Sequence, residues 1–140
     1  MKPCDDHPVP IDDIRVVLRA LAEVRDKEFY SLWVLLTRSW REPLPKIEFR
    51  IYQVAHSADA HVVVLVEDTR PDGTEFFWGL AVTTRQDRLV IEGSVAMQTA
   101  EDAGSMVFSK SGETSDPREA ASIIHGIASE VCNQRPWLAP

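Results

Sequence analysis

A chain of 140 residues amounts to one domain, and at that size about 68–70% of the unfolded surface can be buried, so a core needs no disulfide or metal staples. Twenty-two acidic against fifteen basic residues give a net charge of −7. That balance argues against sequence-independent binding to nucleic acid or to anionic membranes, which need clustered Lys and Arg.

Residues 1–10 carry Pro3, Pro8 and Pro10 without periodicity and are expected to form a flexible tail. The start has no positively charged segment leading into an apolar run, and no apolar run reaches the roughly 18 residues that would span a bilayer. A cytoplasmic location is therefore expected. Cys4 and Cys132 form neither a disulfide framework nor a metal or redox motif, and both read as free thiols.

From Ile11 the pattern is helical, with Ile14, Val17, Leu18, Leu21 and Val24 recurring at steps of three and four. Asp12 and Asp13 suit the positive end of its dipole. The polar run Arg25-Asp26-Lys27-Glu28 then interrupts the stripe. Residues 29–36 are apolar nearly all round, and helix, either continuing the first to Trp40 or separate after a kink, is preferred over a short strand there because good helix formers surround them. Pro43 and Pro45 end the segment.

Residues 47–110 alternate as an antiparallel meander. Ile47, Phe49 and Ile51 share one face, and a first hairpin that sets His56 opposite His61 would place Tyr52 opposite Leu65 and Arg50 opposite Glu67. Opposite charges would then meet. The run Arg70-Pro71-Asp72-Gly73-Thr74 predicts a type I turn with a glycine bulge, pairing Phe76, Trp78, Leu80 and Val82 with Asp68, Val66, Val64 and Val62. A two-residue tip at Gln86-Asp87 puts Leu89, Ile91, Val95 and Met97 on that same face, and a turn through Glu101 to Gly104 is expected to add Met106 and Phe108. Asp116-Pro117-Arg118-Glu119 is a helix start, with Asp116 as cap and Pro117 at the first position. The stripe Ala120, Ile123, Ile124, Ile127, Ala128 and Val131 should lie on the sheet. Pro136 stops the helix, and Trp137 and Leu138 are expected to tuck into the fold. The fold class is thus α+β over residues 11–135, with an N-terminal helical region, a five-stranded antiparallel meander and a C-terminal helix on one sheet face; 136–140 form a short tail.

Chemistry is sparse. No Gly-rich phosphate loop, Gly-x-Ser-x-Gly elbow or His-Glu-x-x-His pair occurs, so no catalytic residue and no cofactor is assigned. The nearest approach to a metal site is His56 and His61 across the first hairpin with Asp59 at its tip, but exposed hairpin tips often carry histidines and no metal is assigned. His125 reads as a hydrogen-bonded residue beside the helical stripe. Gln53, Asp68 and Trp78 could line a pocket between helix and sheet, since buried polar groups must find partners.

The second sheet face is more informative. Arg50, Tyr52 and Val54, then Val63, Leu65 and Glu67, then Phe77, Gly79, Ala81 and Thr83, then Val90, Glu92, Ser94 and Ala96 should share it. A solvated face should be polar, yet Tyr52, Val54, Val63, Leu65, Phe77 and Ala81 form an apolar surface inside a charged border. Either residues 29–40 fold over this face or it is an interface. The expected function is a non-enzymatic binding or adaptor protein that self-associates, as a homodimer, or binds a protein partner there. Two rivals stand beside it: a small-molecule binder or enzyme with a pocket between helix and sheet, and an acidic inhibitor, of immunity or chaperone type, for a basic partner.

Overall fold

The computed structural model describes residues 11–39, 44–53, 60–85, 87–99, 101 and 104–138. Helix α1 (Ile11–Val24) runs through a π turn (Arg25–Phe29) into helix α2 (Tyr30–Ser39). Strands β1 (Lys46–Gln53), β2 (Ala60–Thr69), β3 (Glu75–Arg85), β4 (Arg88–Gln98) and β5 (Ser105–Thr114) form one antiparallel sheet in sequential order. Helix α3 (Pro117–Cys132) and a 3-10 turn (Pro136–Leu138) follow, completing an α+β domain.

The π turn solves a spacing problem in the sequence. Val17, Ala20, Leu21 and Val24 are buried at ordinary helical steps, and so are Phe29, Leu32 and Leu36, but the step from Val24 to Phe29 is five residues. An unbroken α-helix would carry Phe29 well off the buried stripe. Widening one turn absorbs the extra residue, with the Tyr30 N–H donating to the carbonyl of Arg25, five residues back. The polar run therefore sits on the outer side of a continuous rod, and Phe29 returns to the core. Trp33 donates from Nε1 to the Pro45 carbonyl at 2.7 Å, fixing α2 against the entry to β1. The Arg25 guanidinium lies over the Phe49 ring at 5.1 Å.

All three helices cover the same sheet face. Buried helical residues join Val62, Val64, Val66, Phe76, Trp78, Leu80, Val82, Leu89, Ile91 and Val95 in one core. Helix α3 lies across β3, β4 and β5, α1 packs against α3, the π turn reaches β2, and α2 reaches β1. Residues 29–39 thus belong to the first face and leave the second uncovered by any described helix. At the start of α3, Asp116 caps by accepting from the Arg118 N–H at 3.0 Å, with Pro117 next in the chain. Trp137 tucks in with its ring edge-on to Phe76 and Trp78, whereas Leu138 is exposed.

Two of the four hairpins follow the predicted register, and two differ. The β2–β3 and β3–β4 pairings match it, with Trp78 opposite Val66 and Val95, and Gly73 adopts a φ of +89° in the turn. In the first hairpin Tyr52, not His56, opposes His61, an offset of four residues. Side chains keep their faces under an even slip, so alternation cannot detect it. The observed register centres Phe49 on Val64 and Ile47 on Val66 beneath the helices, whereas the expected one would set polar Gln53 against Val64. Arg50 meets Val63 instead of Glu67, and Lys46 takes the place opposite Glu67. In the last hairpin a bulge between Val95 and Ala96 pairs Val95 with Phe108 but Ala96 with Met106, leaving Val107 as the extra residue. Phe108 stays on the core face. Met106 turns to the second face, where it is 64% exposed.

Helix α3 approaches β4 closely enough that a Cβ on Gly93 would fall 2.3 Å from Ile127 Cγ2 and 2.7 Å from Val131 Cγ2, whereas a Cβ on Gly79, on the opposite face, would make ordinary contacts from 3.7 Å. Gly93→Ala should therefore lower unfolding free energy by about 1–3 kcal/mol, and Gly79→Ala should change it by less than about 0.5 kcal/mol. Urea midpoints of the two variants check both.

Candidate functional site

The registers lay the second face out as four rows running from β1 to β5. Lys46, Glu67, Phe77, Ala96 and Met106 form the first row, and Glu48, Leu65, Gly79, Ser94 and Ser109 the second. Arg50, Val63, Ala81, Glu92 and Ser111 form the third, and Tyr52, His61, Thr83, Val90 and Glu113 the fourth. Charges concentrate toward the edge strands and small or apolar residues in the middle, where β3 contributes no charged residue to any of the four rows.

Small side chains at the centre make a trough. Gly79, Ala81 and Ser94 form its floor, Val63 and Leu65 rise on the β2 side and Met106 and Ser109 on the β5 side, enclosing about 240 Å³. Glu92 lines it as an exposed carboxylate with no ion-pair partner among the described residues. At the border Arg50 pairs with Glu48 and Arg88 with Glu113. Burying this face would release apolar surface from water without stranding those pairs, provided that a cation or donor meets Glu92.

Of the residues expected on this surface, Val63, Leu65, Phe77 and Ala81 are brought together on it. Tyr52 pairs with His61 in the fourth row, and Val54 lies outside the described residues. Met106 and Ser109 were not foreseen. Glu48 follows from the alternation of β1, but nothing local in the sequence marks the bulge that turns Met106 round.

The other expected groups separate. His56 and Asp59 lie outside the described residues, while His61 sits opposite Tyr52 with its Nδ1 3.0 Å from the Thr83 hydroxyl. Among the described residues no group of three or more His, Cys, Asp or Glu side chains could hold a metal. His125 lies 3.4 Å from Glu23 Oε1 on α1, bridging α3 to α1 at the surface. Gln53 pairs with Ala60, eight residues along β2 from Asp68, so the two stand at opposite ends of the sheet. Trp78 is fully buried and donates to the Gln134 carbonyl at 3.2 Å.

Asp68 is the most unusual group on the core face. It is 0% exposed, and neither carboxylate oxygen has a hydrogen-bond partner among the described residues. Arg70 Nε lies 3.9 Å away, with its guanidinium against the rings of Phe76 at 4.8 Å and Trp137 at 4.7 Å. Burial raises the Asp68 carboxyl above its ordinary value, and the charge of Arg70 offsets only part of that. Clefts of about 350 Å³ also occur beside the π turn, where Glu28 and Cys132 meet, and between α3 and β5. Burial pushes the Cys132 thiol up to about 12, so it offers no thiolate nucleophile. No described helix is long and apolar enough to cross a membrane.

Because its pKa is raised on folding, Asp68 binds a proton in the folded chain that the unfolded chain has released. Its cost to the fold is therefore full at neutral pH and is relieved as pH falls through the raised value toward the ordinary carboxylate range. Asp68→Asn should be more stable than the parent near neutral pH by on the order of 1 kcal/mol. That advantage should shrink on acidification to about pH 4, as urea titrations across the range would read; a less stable variant at neutral pH would mean that the pairing with Arg70 outweighs burial. The search for relatives leaves the site to be read from its own geometry: no family model matches the chain, and no curated protein or solved structure matches it.

Proposed function

We propose that this protein is a non-enzymatic binding module that seats a protein partner on the second face of its sheet. The observation that carries the reading is the trough over Gly79, Ala81 and Ser94, walled by Leu65, Val63 and Met106 and left uncovered by every described helix. An antiparallel sheet with one solvated face ordinarily alternates apolar inward with polar outward. Here both faces of β2 and β3 are apolar at the centre, and small residues on the outer one let another backbone or side chain approach closely. Apolar centre, charged border and a shallow depression for an anchoring side chain are the anatomy of a protein interface. The small-molecule reading finds less support, because Gln53 stands far from Asp68 and Trp78, and Trp78 is packed against the chain's own C-terminal turn.

Leu65 and Phe77 are half-buried and lie outside the core, so polar replacements should leave the fold intact. Leu65→Glu or Phe77→Lys should weaken association by at least about 2 kcal/mol, the loss typical of an interface anchor. Leu138→Glu, on an exposed residue of the C-terminal turn, should not. Sedimentation equilibrium measures self-association, and calorimetry measures binding of a defined partner. An unchanged dissociation constant in Leu65→Glu, with the circular dichroism of the parent, would rule the face out.

A further inference from the structure

The order of residues on the second face identifies its occupant, and we infer that this is a second copy of the chain, packed face to face about a two-fold axis running across the strands. The inference rests on the reading of this face as an interface and adds the identity and orientation of what covers it.

Consider the axis that passes between the Glu48-Leu65-Gly79-Ser94-Ser109 row and the Arg50-Val63-Ala81-Glu92-Ser111 row. Each strand then lies over the same strand of the other copy with its direction reversed, and each of these two rows lies over the other. Glu48 meets Arg50 of the second copy, and Arg50 meets its Glu48. Leu65 meets Val63, and Gly79 meets Ala81. The outer rows exchange in the same way, setting Glu67 over His61 and Ala96 over Val90. Carboxylate meets guanidinium or imidazole on β1 and β2, Leu65 meets Val63, Ala96 meets Val90 and Gly79 meets Ala81, each contact occurring twice as an isologous interface requires, while Phe77 comes over Thr83 and Met106 over Glu113 at the ends of the face. Glu92 comes over Ser94, whose hydroxyl can donate to it.

Size agrees with the assignment. Five strands at about 4.8 Å and four rows at about 6.8 Å span on the order of 24 Å by 27 Å, or roughly 650 Å² per copy in projection. Specific interfaces take about 800 Å² of accessible surface from each partner, and a corrugated face exposes more than its projection. Two sheets stacked about 10 Å apart with their strands aligned antiparallel would interleave these side chains as in a sandwich core.

Within one chain Glu48 and Arg50 also pair with each other, so a single substitution at either removes an internal contact as well. Two variants used together separate the effects. Glu48→Arg makes both positions cationic and Arg50→Glu makes both anionic, so each alone should dimerise roughly tenfold or more weakly than the parent. Mixed in equal amounts they should recover a dimer containing one chain of each, detected by native mass spectrometry, because the cationic pair of one chain faces the anionic pair of the other. The internal pair is absent from both variants and cannot produce that recovery. A Leu65-sensitive dimer whose two variants fail to form the mixed species would overturn this orientation. A parent that stays monomeric at every concentration, while binding a different defined protein in a Leu65-dependent way, would overturn the second copy and leave the binding function standing. A dimer indifferent to Leu65→Glu would overturn both.

Discussion

Everything in this fold depends on the helices lying on one side of the sheet. The rod of α1, the π turn and α2 together with α3 presents its buried stripes to a single face, that of Val64, Trp78, Leu80, Ile91 and Val95. Among the described residues this two-layer arrangement leaves one sheet face without a covering helix. Cross-strand pairs of valine, leucine and phenylalanine on β2 and β3 are consequently stabilised from one side only, and the side chains of the second face remain half-exposed.

The one-sided cover is achieved by adjusting the backbone at two places. The first is the π turn, which brings Phe29 back into line after the five-residue step from Val24, so that one rod can serve both α3 and the β1–β2 end of the sheet. The second is the bulge at Val107, which lets Phe108 stay in the core while Met106 turns outward. A Gly at 93 then allows α3 to sit against β4 at a distance where any side chain would collide with Ile127 and Val131. Each device adds one residue or deletes one side chain, and together they seat Phe29, Phe108 and α3 against the covered face.

What could be read in the sequence followed from the parity of alternation. Assigning Val62, Val64 and Val66 to one face and Val63 and Leu65 to the other needs only the period of two, which holds for any even register. That is why the first hairpin can be misjudged by four residues and still place Arg50, Val63 and Leu65 on the correct face. Pairing distances carry no such protection: the imagined meeting of Arg50 with Glu67, and of Gln53 with Val64, vanishes with the slip. Turn chemistry supplied the remaining register where it was explicit, as at Pro71-Asp72-Gly73. It failed where it was silent, since an odd insertion such as Val107 reverses parity and no residue type announced it. The five-residue step into Phe29 was visible as an interruption of the stripe, but only the packed structure distinguishes a widened turn from a break.

The composition of the open face bears on why it can remain exposed. A centre of Gly79, Ala81, Ser94 and Ala96 exposes little apolar area per residue, so an uncovered face costs less solubility than a leucine-rich one would, and the net charge of −7 opposes indiscriminate association. Small residues also permit close approach, and that concentrates the gain from burial on the few large groups around them, Leu65, Phe77 and Met106. The carboxylate of Glu92 in the same trough penalises any occupant that brings only hydrocarbon, because a buried charge without a donor costs more than nearby apolar contact returns. In the binding proposed for this face, attraction from the large groups around the trough and exclusion by the Glu92 carboxylate would act on the same few square ångströms, and an occupant would have to satisfy both.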